Sequence, residues 1–219
     1  MQNDNNSKTD TFLHTKKTFV IGLTGGIACG KSAIASLFSK LEVPIVDADL
    51  IARDVVMPGS LLLLKLEETF GSDIINEDGS LKRKRLREIV FDNHNPTFVA
   101  RLNAIMQPAI KAKLEETVLS YSVPYVIAVI PLLIEQHLEH LVDRILVVDV
   151  DPKLQLQRLM LRDSIDEKLA QSMIESQINR ETRIAKADDL IESDDSPLDQ
   201  KYDVVVKLHK TYLELAKKI

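Results

Sequence analysis

A glycine-rich segment near the start of the chain has the residue types that bind nucleotide phosphates. It reads TGGIACGKS over residues 24–32 and fits the pattern G-x-x-x-x-G-K-S, between an apolar run and a helical pattern. Glycines let successive backbone N–H groups face phosphate oxygens, and the following helix N-terminus adds positive potential. The alternative is a glycine-rich turn that binds nothing. We predict a nucleotide cradle made of Gly25, Gly26, Ile27, Ala28, Cys29, Gly30, Lys31, Ser32 and Ala33.

Three side chains of this cradle have specific expected chemistry. Lys31 is expected to reach the outer phosphates of ATP, and Ser32 is expected to place its hydroxyl on Mg²⁺, a cation that prefers oxygen ligands. Cys29 would lie at a helix N-terminus beside a lysine, a setting that favours a reactive thiolate. For Cys29 we favour the alternative of a small inert spacer.

Two carboxylates follow the next apolar run, in the sequence Ile-Val-Asp47-Ala-Asp49. The carboxyl ends of parallel strands form the ligand crevice of such sheets, so this pair is predicted to lie beside the cradle. One carboxylate would accept the proton of an acceptor hydroxyl, and the other would orient Mg²⁺ through water. The alternative role for Asp49 is the N-cap of a helix that begins at residue 50.

Basic side chains later in the chain have the spacing of helix faces. Arg158 and Arg162 are four residues apart, and Gln177, Arg180 and Arg183 follow at intervals of three. Arginines of this kind clamp phosphoryl oxygens and help to exclude water, and we predict a helical lid over residues 152–186, the lid segment. The alternative is a solvated face on which each arginine pairs with an acidic neighbour.

A basic run at residues 82–87 is the other candidate for binding an anion, and from it we select Arg83 for contact with an anionic acceptor. Most such runs are simply solvated. A GTPase is disfavoured because the chain has no N-K-x-D motif, and Asp149 and Asp151 are interpreted as residues that end a strand and start a helix. The histidines lack the spacing of metal ligands.

Short β-branched runs predict the sheet that positions these residues. Strands are expected at 19–23, 44–47, 125–130 and 145–149, with a last short strand at 190–191. They alternate with helical patterns, which predicts an α/β fold of the P-loop nucleoside-triphosphate hydrolase type, a parallel sheet flanked by helices.

The helical patterns predict how the chain is divided. A helical acceptor-binding insert is expected over 53–119, with helices at 61–70, 81–91 and 97–119 and a turn at 76–79. In the lid segment we expect one helix over 152–162 and a second over 164–186, started by a capping box of Ser164 and Glu167. The nucleotide-binding core would comprise 18–52, 120–151 and 187–219, with a helix from 198 to the end, and residues 1–17 would be a disordered tail.

Composition restricts the class of protein. The 219 residues are 45% hydrophobic and 28% charged with a formal net charge of -5, which favours a globular protein acting on a small molecule over one that wraps nucleic acid. A single cysteine suits a reducing cytoplasm. The apolar stretch 125–134 is about half of the roughly 20 residues that a membrane span needs. We expect no membrane association and, by default, a monomer.

The motifs together resemble the dephospho-coenzyme A kinase family over residues 18 to about 216. The resemblance is carried by the order and spacing of six segments: GLTGGIACGKS, VPIVDADLIARDVV, GSLKRKRLREIVF, VIPLLIE, RILVVDVDPKLQLQRLMLRD and QINRETRIAKADDLI. Membership of this family implies ATP-dependent phosphorylation of the ribose 3'-hydroxyl of dephospho-coenzyme A, the last step of coenzyme A synthesis. It also implies a nucleotide core, a helical acceptor domain and a lid.

The resemblance implies roles for individual residues. Asp49 corresponds to the general base, Lys31 and Arg162 to further catalytic groups, and Ser32 to the magnesium contact, with Asp47 acting through water. The acceptor pocket would comprise Arg53 and the run of Pro131, Leu132, Leu133 and Glu135, to which the patterns above add Asp47 and Arg83. The lid would contribute Arg158, Gln177, Arg180 and Arg183.

Three features depart from the family pattern. Gln107 precedes Pro108 where members commonly have histidine, Glu-Ser-Asp-Asp follows Ile191 where members usually have Asn-Asn or Asn-Gly, and the first 17 residues have no counterpart. The competing hypotheses are another small-molecule P-loop kinase, such as a nucleoside or nucleotide kinase, and a nucleotide-binding regulator that transfers no phosphate.

Overall fold

Five parallel strands form the centre of the molecule. The structure is a computed structural model that describes residues 18–91 and 96–218, so the predicted tail at 1–17 lies outside the described residues. The strands are β1 (Phe19–Gly25), β2 (Ile45–Asp47), β3 (Tyr125–Val129), β4 (Arg144–Asp149) and β5 (Asp189–Glu192). Their order in the sheet is β2-β3-β1-β4-β5, which confirms the predicted parallel α/β sheet.

Helices cover both faces of this sheet. The helices are α1 (Lys31–Ser39), α2 (Ala48–Asp54), α3 (Leu61–Phe70), α4 (Arg83–Phe91), α5 (Pro96–Leu119), α6 (Pro152–Asp163), α7 (Glu167–Glu175), α8 (Arg180–Ala185) and α9 (Leu198–Ala216). On one face, Phe38 of α1 and Tyr212 of α9 pack against Ile21 and Ile127. On the other face, α2 and the second half of α5 pack against Val126 and its neighbours. Because both faces are covered, the central strands are apolar throughout.

The strand register places the cradle and the acidic pair at the same edge of the sheet, where the parallel strands end. Leu23 of β1 lies beside Val129 of β3, and Asp47 of β2 lies on the other side of Val129. The ends of β1 and β2 are therefore two strand spacings apart, about 10 Å. The cradle after β1 and the acidic pair after β2 consequently flank the chain that leaves β3.

The predicted insert 53–119 has an apolar cluster of its own. Leu66 and Phe70 of α3, Leu86 of α4 and Ile105 of α5 pack together away from the sheet. The second half of α5 instead buries Leu114 against the sheet, so α5 belongs to both clusters. The division at residue 119 stays a prediction. The predicted turn at 76–79 is present, with Gly79 N donating to Asn76 O.

The lid segment differs from its prediction at two points. Ser164 does not start a helix, because it ends α6 with a left-handed backbone (φ 52°), and Asp166 caps α7 by accepting from Leu169 N. The predicted helix 164–186 is two helices, since Asn179 caps a new one, α8. A short side chain that accepts a backbone N–H offers the chain an alternative to continuing a helix.

None of the helices in the described ranges 18–91 and 96–218 combines the length and the apolar character required to cross a bilayer.

Candidate active site

The cradle joins the end of β1 to the start of α1. Gly30 precedes α1 with a left-handed backbone (φ 92°), and Ala28 also has positive φ (58°). This path leads into the first turn of α1, where Ser32 and Ala33 are exposed, and helix N-termini favour bound anions. Five cradle residues, from Ala28 to Ser32, line a cavity of about 340 Å³ together with Arg158 and Arg162 of α6.

Lys31 lies folded against the cradle. Its Nζ donates to Gly25 O at 2.9 Å and to Gly26 O at 3.0 Å, and it lies 3.8 Å from Cys29 Sγ. The ammonium is therefore held among cradle carbonyls, at the inner edge of the cavity. Cys29 is completely buried in the core beneath the cradle, so the hypothesis of an accessible reactive thiol does not match the structure.

The two carboxylates at the end of β2 have different roles, because one of them caps a helix and the other does not. Asp47 is the N-cap of α2, with Oδ1 accepting from Asp49 N at 2.8 Å and from Leu50 N at 3.4 Å. The alternative that Asp49 caps this helix is therefore wrong, because the helix begins at Ala48, one residue before Asp49. The carboxylate of Asp49 stays available for chemistry.

The surroundings of Asp49 suit a general base. Partial loss of hydration raises the pKa of its carboxyl group, and the negative charge of Asp47 raises this pKa further. The positive charges of Arg53 and Lys31 act in the opposite direction, and the net pKa is above the ordinary value. A carboxylate with a raised pKa is a stronger base, and the charge of Lys31 in the cradle is one of those that act on it.

Two basic residues of the predicted acceptor side lie near each other. The pKa of the Arg83 guanidinium is lowered, first by loss of hydration and then by the positive charge of Arg53. Arg83 begins α4 and Arg53 lies in the last turn of α2, so the fold brings together two cations from separate stretches. Like charges held close together favour an anion between or beside them.

The residues of the predicted acceptor run after β3, from Pro131 to Glu135, lie in different environments. Pro131 O accepts from Thr24 Oγ1 at 3.2 Å, which ties this run to β1. Leu132 is exposed, whereas Leu133 is completely buried in the core, so the expected contact of Leu133 with an acceptor is replaced by packing. Glu135 accepts from Ile178 N at 3.4 Å and lies 3.6 Å from the guanidinium of Arg183. Glu135 therefore joins this run to the lid segment.

The predicted helix face of Gln177, Arg180 and Arg183 is interrupted, because only the two arginines lie on α8, and these two have different partners. Arg180 Nε donates to both oxygens of the buried Asp149 at the end of β4, at 2.9 and 3.1 Å. Arg183 is buried and donates to Ile178 O at 2.7 Å. Gln177 lies before α8, not on it. Asp151 caps α6, so Asp149 and Asp151 do end a strand and start a helix.

The two arginines of α6 have different partners. Arg158 donates to Ser193 Oγ at 2.8 Å and to Asp194 O at 2.8 Å, within the segment that departs from the family pattern. Arg162 pairs with the adjacent Asp163 at 2.7 Å and remains half exposed. Arg158 therefore orders the loop after β5, where it also pairs with the exposed Asp195 at 3.0 Å, whereas the partner of Arg162 is its neighbour on α6.

One contact residue was missed by the sequence analysis. Gln155, on the buried face of α6, donates from Nε2 to Ile27 O at 2.8 Å, and Gln177 Oε1 accepts from Ile27 N at 2.7 Å. Gln155 precedes Arg158 by three residues and Arg162 by seven, so helical spacing alone would have placed it on the face that meets the cradle.

Metal ligation would depend on few protein groups. The described part of the chain has no group of three or more histidine, cysteine or carboxylate side chains arranged to hold an ion. Ser32 and the Asp47 carboxylate supply oxygen atoms, which fit a cation that keeps water and nucleotide oxygens as its remaining ligands.

The family model and the known proteins that match this chain carry the same description. The family model described as dephospho-CoA kinase matches residues 19–199. A dephospho-CoA kinase of Mannheimia succiniciproducens is 44% identical over 201 residues, covering 90% of this chain and 93% of that protein. A dephospho-CoA kinase of Escherichia coli K12 is 40% identical over 198 residues, covering 90% and 95%.

Solved structures are similar over nearly the whole chain. The crystal structure of TT1252 from Thermus thermophilus has a TM-score of 0.77 at 25% identity, covering 89% of this chain and 98% of that one. Dephospho-CoA kinase from Campylobacter jejuni has a TM-score of 0.59 at 27% identity, covering 90% and 98%. A shikimate kinase from Bacteroides thetaiotaomicron, at 15% identity and a TM-score of 0.50, shares the fold.

Proposed function

The chain belongs to the dephospho-CoA kinase family, and from that premise we propose that it transfers the terminal phosphate of ATP to the ribose 3'-hydroxyl of dephospho-coenzyme A. The products are coenzyme A and ADP. The observation that carries this proposal is the position of Asp49, whose carboxylate has a raised pKa and lies within electrostatic reach of Lys31. A base and a phosphate cradle beside each other are the two parts that transfer to a hydroxyl requires.

Asp49 would act by accepting the proton of the 3'-hydroxyl. The hydroxyl oxygen then forms a bond to the terminal phosphorus of ATP as the bond from that phosphorus to the bridging oxygen breaks, and ADP leaves. The proton on Asp49 passes to solvent. The exposed position of Asp49 on the first turn of α2 suits this last step.

Lys31 would neutralise charge on the outer phosphates after leaving the carbonyls of Gly25 and Gly26, which hold its ammonium in this structure. N–H groups at the start of α1 would donate to phosphate oxygens. Mg²⁺, where bound, would neutralise further charge on the phosphates, with Ser32 and Asp47 as the protein groups nearest to hold it. Asp47 has one carboxylate oxygen engaged in capping α2, which leaves the other for a bound water.

The acceptor would be held on the side of α2 and α4. Arg53 and Arg83 are the candidate contacts for its anionic groups, and Leu132 offers an exposed apolar surface at the end of β3. A small anionic acceptor also suits a chain whose net charge of -5 opposes binding to nucleic acid. We keep a cytoplasmic monomer as the working description.

The test is a direct assay. The purified protein is incubated with ATP, Mg²⁺ and dephospho-coenzyme A, with nucleosides and a no-acceptor sample in parallel, and ADP release is followed together with the mass of the acceptor. We expect acceptor-dependent ADP and a product identical to authentic coenzyme A, which checks the 3' position. Transfer only to a nucleoside would support a nucleoside kinase, and ATP binding without transfer would support a regulator.

A further inference from the structure

The backbone of Ile27, inside the cradle, is held by two side-chain amides, one at its N–H and one at its C=O. Gln177 Oε1 accepts from Ile27 N at 2.7 Å, and Gln155 Nε2 donates to Ile27 O at 2.8 Å. The two glutamines are 150 and 128 residues from Ile27 in sequence, and both belong to the lid segment. We call this arrangement the Ile27 clamp.

The clamp is packed tightly against the cradle. Gln155 is 8% exposed, and a Cβ atom added to Gly26 would lie 2.6 Å from Gln155 Nε2 and 3.3 Å from a terminal nitrogen of Arg183. A larger residue at position 26 would therefore displace the amide end of Gln155 from its present position. The lid segment therefore meets the cradle through a close, directional contact.

Each glutamine is also close in sequence to a lid arginine. Gln155 lies one turn before Arg158 on α6, and Gln177 lies three residues before Arg180 at the start of α8. Two anchor points on one residue fix α6 and α8 relative to the cradle more firmly than one would. Displacement of a reacting group by about 1 Å can cost on the order of 100-fold in rate. A fixed position of the lid segment would therefore increase the rate of phosphoryl transfer.

We propose that Gln155 and Gln177 are positioning residues, which hold the lid segment on the backbone of Ile27 and thereby set the lid arginines relative to the phosphates. This inference rests on the proposed kinase function. Neither glutamine is assigned a contact with substrate. Their effect is exerted through Ile27, Arg158 and Arg180.

The clamp uses opposite ends of the two amides, which provides a specific test. Gln177 accepts a hydrogen bond, so Gln177→Glu keeps the acceptor that Ile27 N needs. Gln155 donates, so Gln155→Glu turns a carboxylate oxygen toward Ile27 O, where oxygen repels oxygen. Methionine at either position keeps a chain of similar length and loses the amide. Packing alone would not distinguish the two glutamate variants, and the added charge is the same in both.

The first measurement is the exchange rate of the Ile27 amide hydrogen, followed by NMR in the nucleotide-free protein. We expect Gln177→Met to speed exchange about tenfold, the effect of losing one hydrogen bond, and Gln177→Glu to keep exchange close to the unaltered protein. Gln171→Met is the matched control, because Gln171 is exposed on α7 and donates to Glu175. Unchanged exchange in Gln177→Met, or equally fast exchange in Gln177→Glu, would overturn the clamp.

The second measurement is steady-state turnover with dephospho-coenzyme A. We expect both methionine variants to lower kcat about tenfold with the KM for ATP within about threefold, and to raise the share of ATP hydrolysed without acceptor. Gln177→Glu should recover kcat relative to Gln177→Met, whereas Gln155→Glu should be no better than Gln155→Met. Recovery at both positions or at neither would overturn the positioning role.

The two measurements separate this inference from the proposed function. Ile27 exchange requires no substrate, so it tests the clamp even in a protein that fails to phosphorylate dephospho-coenzyme A. Absence of transfer in the unaltered protein would reject the proposed function. Normal transfer in all four glutamine variants would reject the positioning role alone.

Discussion

The nucleotide side and the acceptor side that we propose for this protein are built in different ways. The cradle is one continuous stretch between β1 and α1, closed beneath by the buried Cys29 and by the backbone of β4. The acceptor side is assembled from separate pieces: Asp49 and Arg53 come from α2, and Arg83 comes from α4. The first side is therefore determined by local sequence, and the second by how the helices pack.

The two sides also differ in their electrostatics. Lys31 makes its hydrogen bonds with carbonyls of the cradle itself, so its position is set within one short segment. The pKa of Asp49 is instead raised by loss of hydration and by Asp47, against the effects of Arg53 and Lys31. Chemistry on the acceptor side thus depends on a balance among charges, which single substitutions can shift.

The largest expected effect tests whether binding and chemistry are divided between the two sides. Asp49→Asn should lower kcat by about 100- to 10,000-fold, because the amide cannot accept the hydroxyl proton, while ATP affinity stays within about threefold. Turnover and calorimetric ATP binding are measured on the same preparation. Lys31→Met is the counterpart and should weaken both ATP binding and turnover. Near-normal turnover of Asp49→Asn would remove this residue from the role of base.

A pair of glycines sharpens the contrast in packing. Gly25 has φ 152°, and an added Cβ would lie 2.4 Å from Val148 O, whereas Gly59 in the helical insert has φ 81° and open space around it. Gly25→Ala should destabilise the protein by about 3 kcal/mol and weaken ATP binding, since both backbone strain and a clash arise. Gly59→Ala should cost about 1–2 kcal/mol from strain alone.

Thermal and denaturant unfolding measure the loss of stability in each variant. ATP titration shows whether the substitution also weakens nucleotide binding. The comparison depends on the difference between the variants more than on either value. Equal destabilisation by both alanines would mean that the cradle is no more tightly enclosed than the insert. Loss of ATP affinity in Gly59→Ala would contradict the separation of the two sides.

Features set by local sequence were predictable. The cradle has a fixed residue pattern, and the four predicted core strands are continuous apolar runs, because a strand covered on both faces needs apolar residues throughout. Asp47 and Asp49 followed from the rule that strand ends form the crevice. The structure places each of these elements within a few residues of its predicted position.

Features set by distant contacts were not predictable. The spacing of Gln177, Arg180 and Arg183 suggested one helix face, yet Asn179 caps a new helix between the first two. The pair of Arg180 with Asp149 and that of Arg183 with Glu135 join residues 31 and 48 positions apart, which no local pattern encodes. Leu133 resembles its exposed neighbour Leu132 in type, and only the fold decides which one is buried.

A moderate effect on the KM for the acceptor is expected at the proposed contact on α4. Arg83→Gln should raise the KM for dephospho-coenzyme A about tenfold and leave the KM for ATP and kcat within about twofold, because an exposed charge contacting an anion contributes on the order of 1.4 kcal/mol. Arg85→Gln is the matched control, since Arg85 already pairs with Glu88 and Asp73. Similar changes in both variants would indicate a general effect of the basic helix.

The smallest effect concerns the charge balance around Asp49. The base must be ionised, so kcat/KM falls as the pH drops through the pKa of Asp49, which lies above the ordinary value for aspartate. Asp47→Asn removes a negative neighbour and should move this acid limb to lower pH. Arg53→Gln removes a positive neighbour and should move it to higher pH.

The opposite signs make this pair of variants informative. The phosphates of ATP also titrate, but they do so equally in all variants. The differences in pH between the acid limbs of the variants therefore report the base alone. Asp47 has the larger influence on the pKa of Asp49, and its variant should show the larger shift. Shifts in one common direction would mean that the acid limb belongs to another group. Shifts of the expected signs would show that the acceptor side controls its base through neighbouring charges, whereas the cradle controls its lysine through its own backbone.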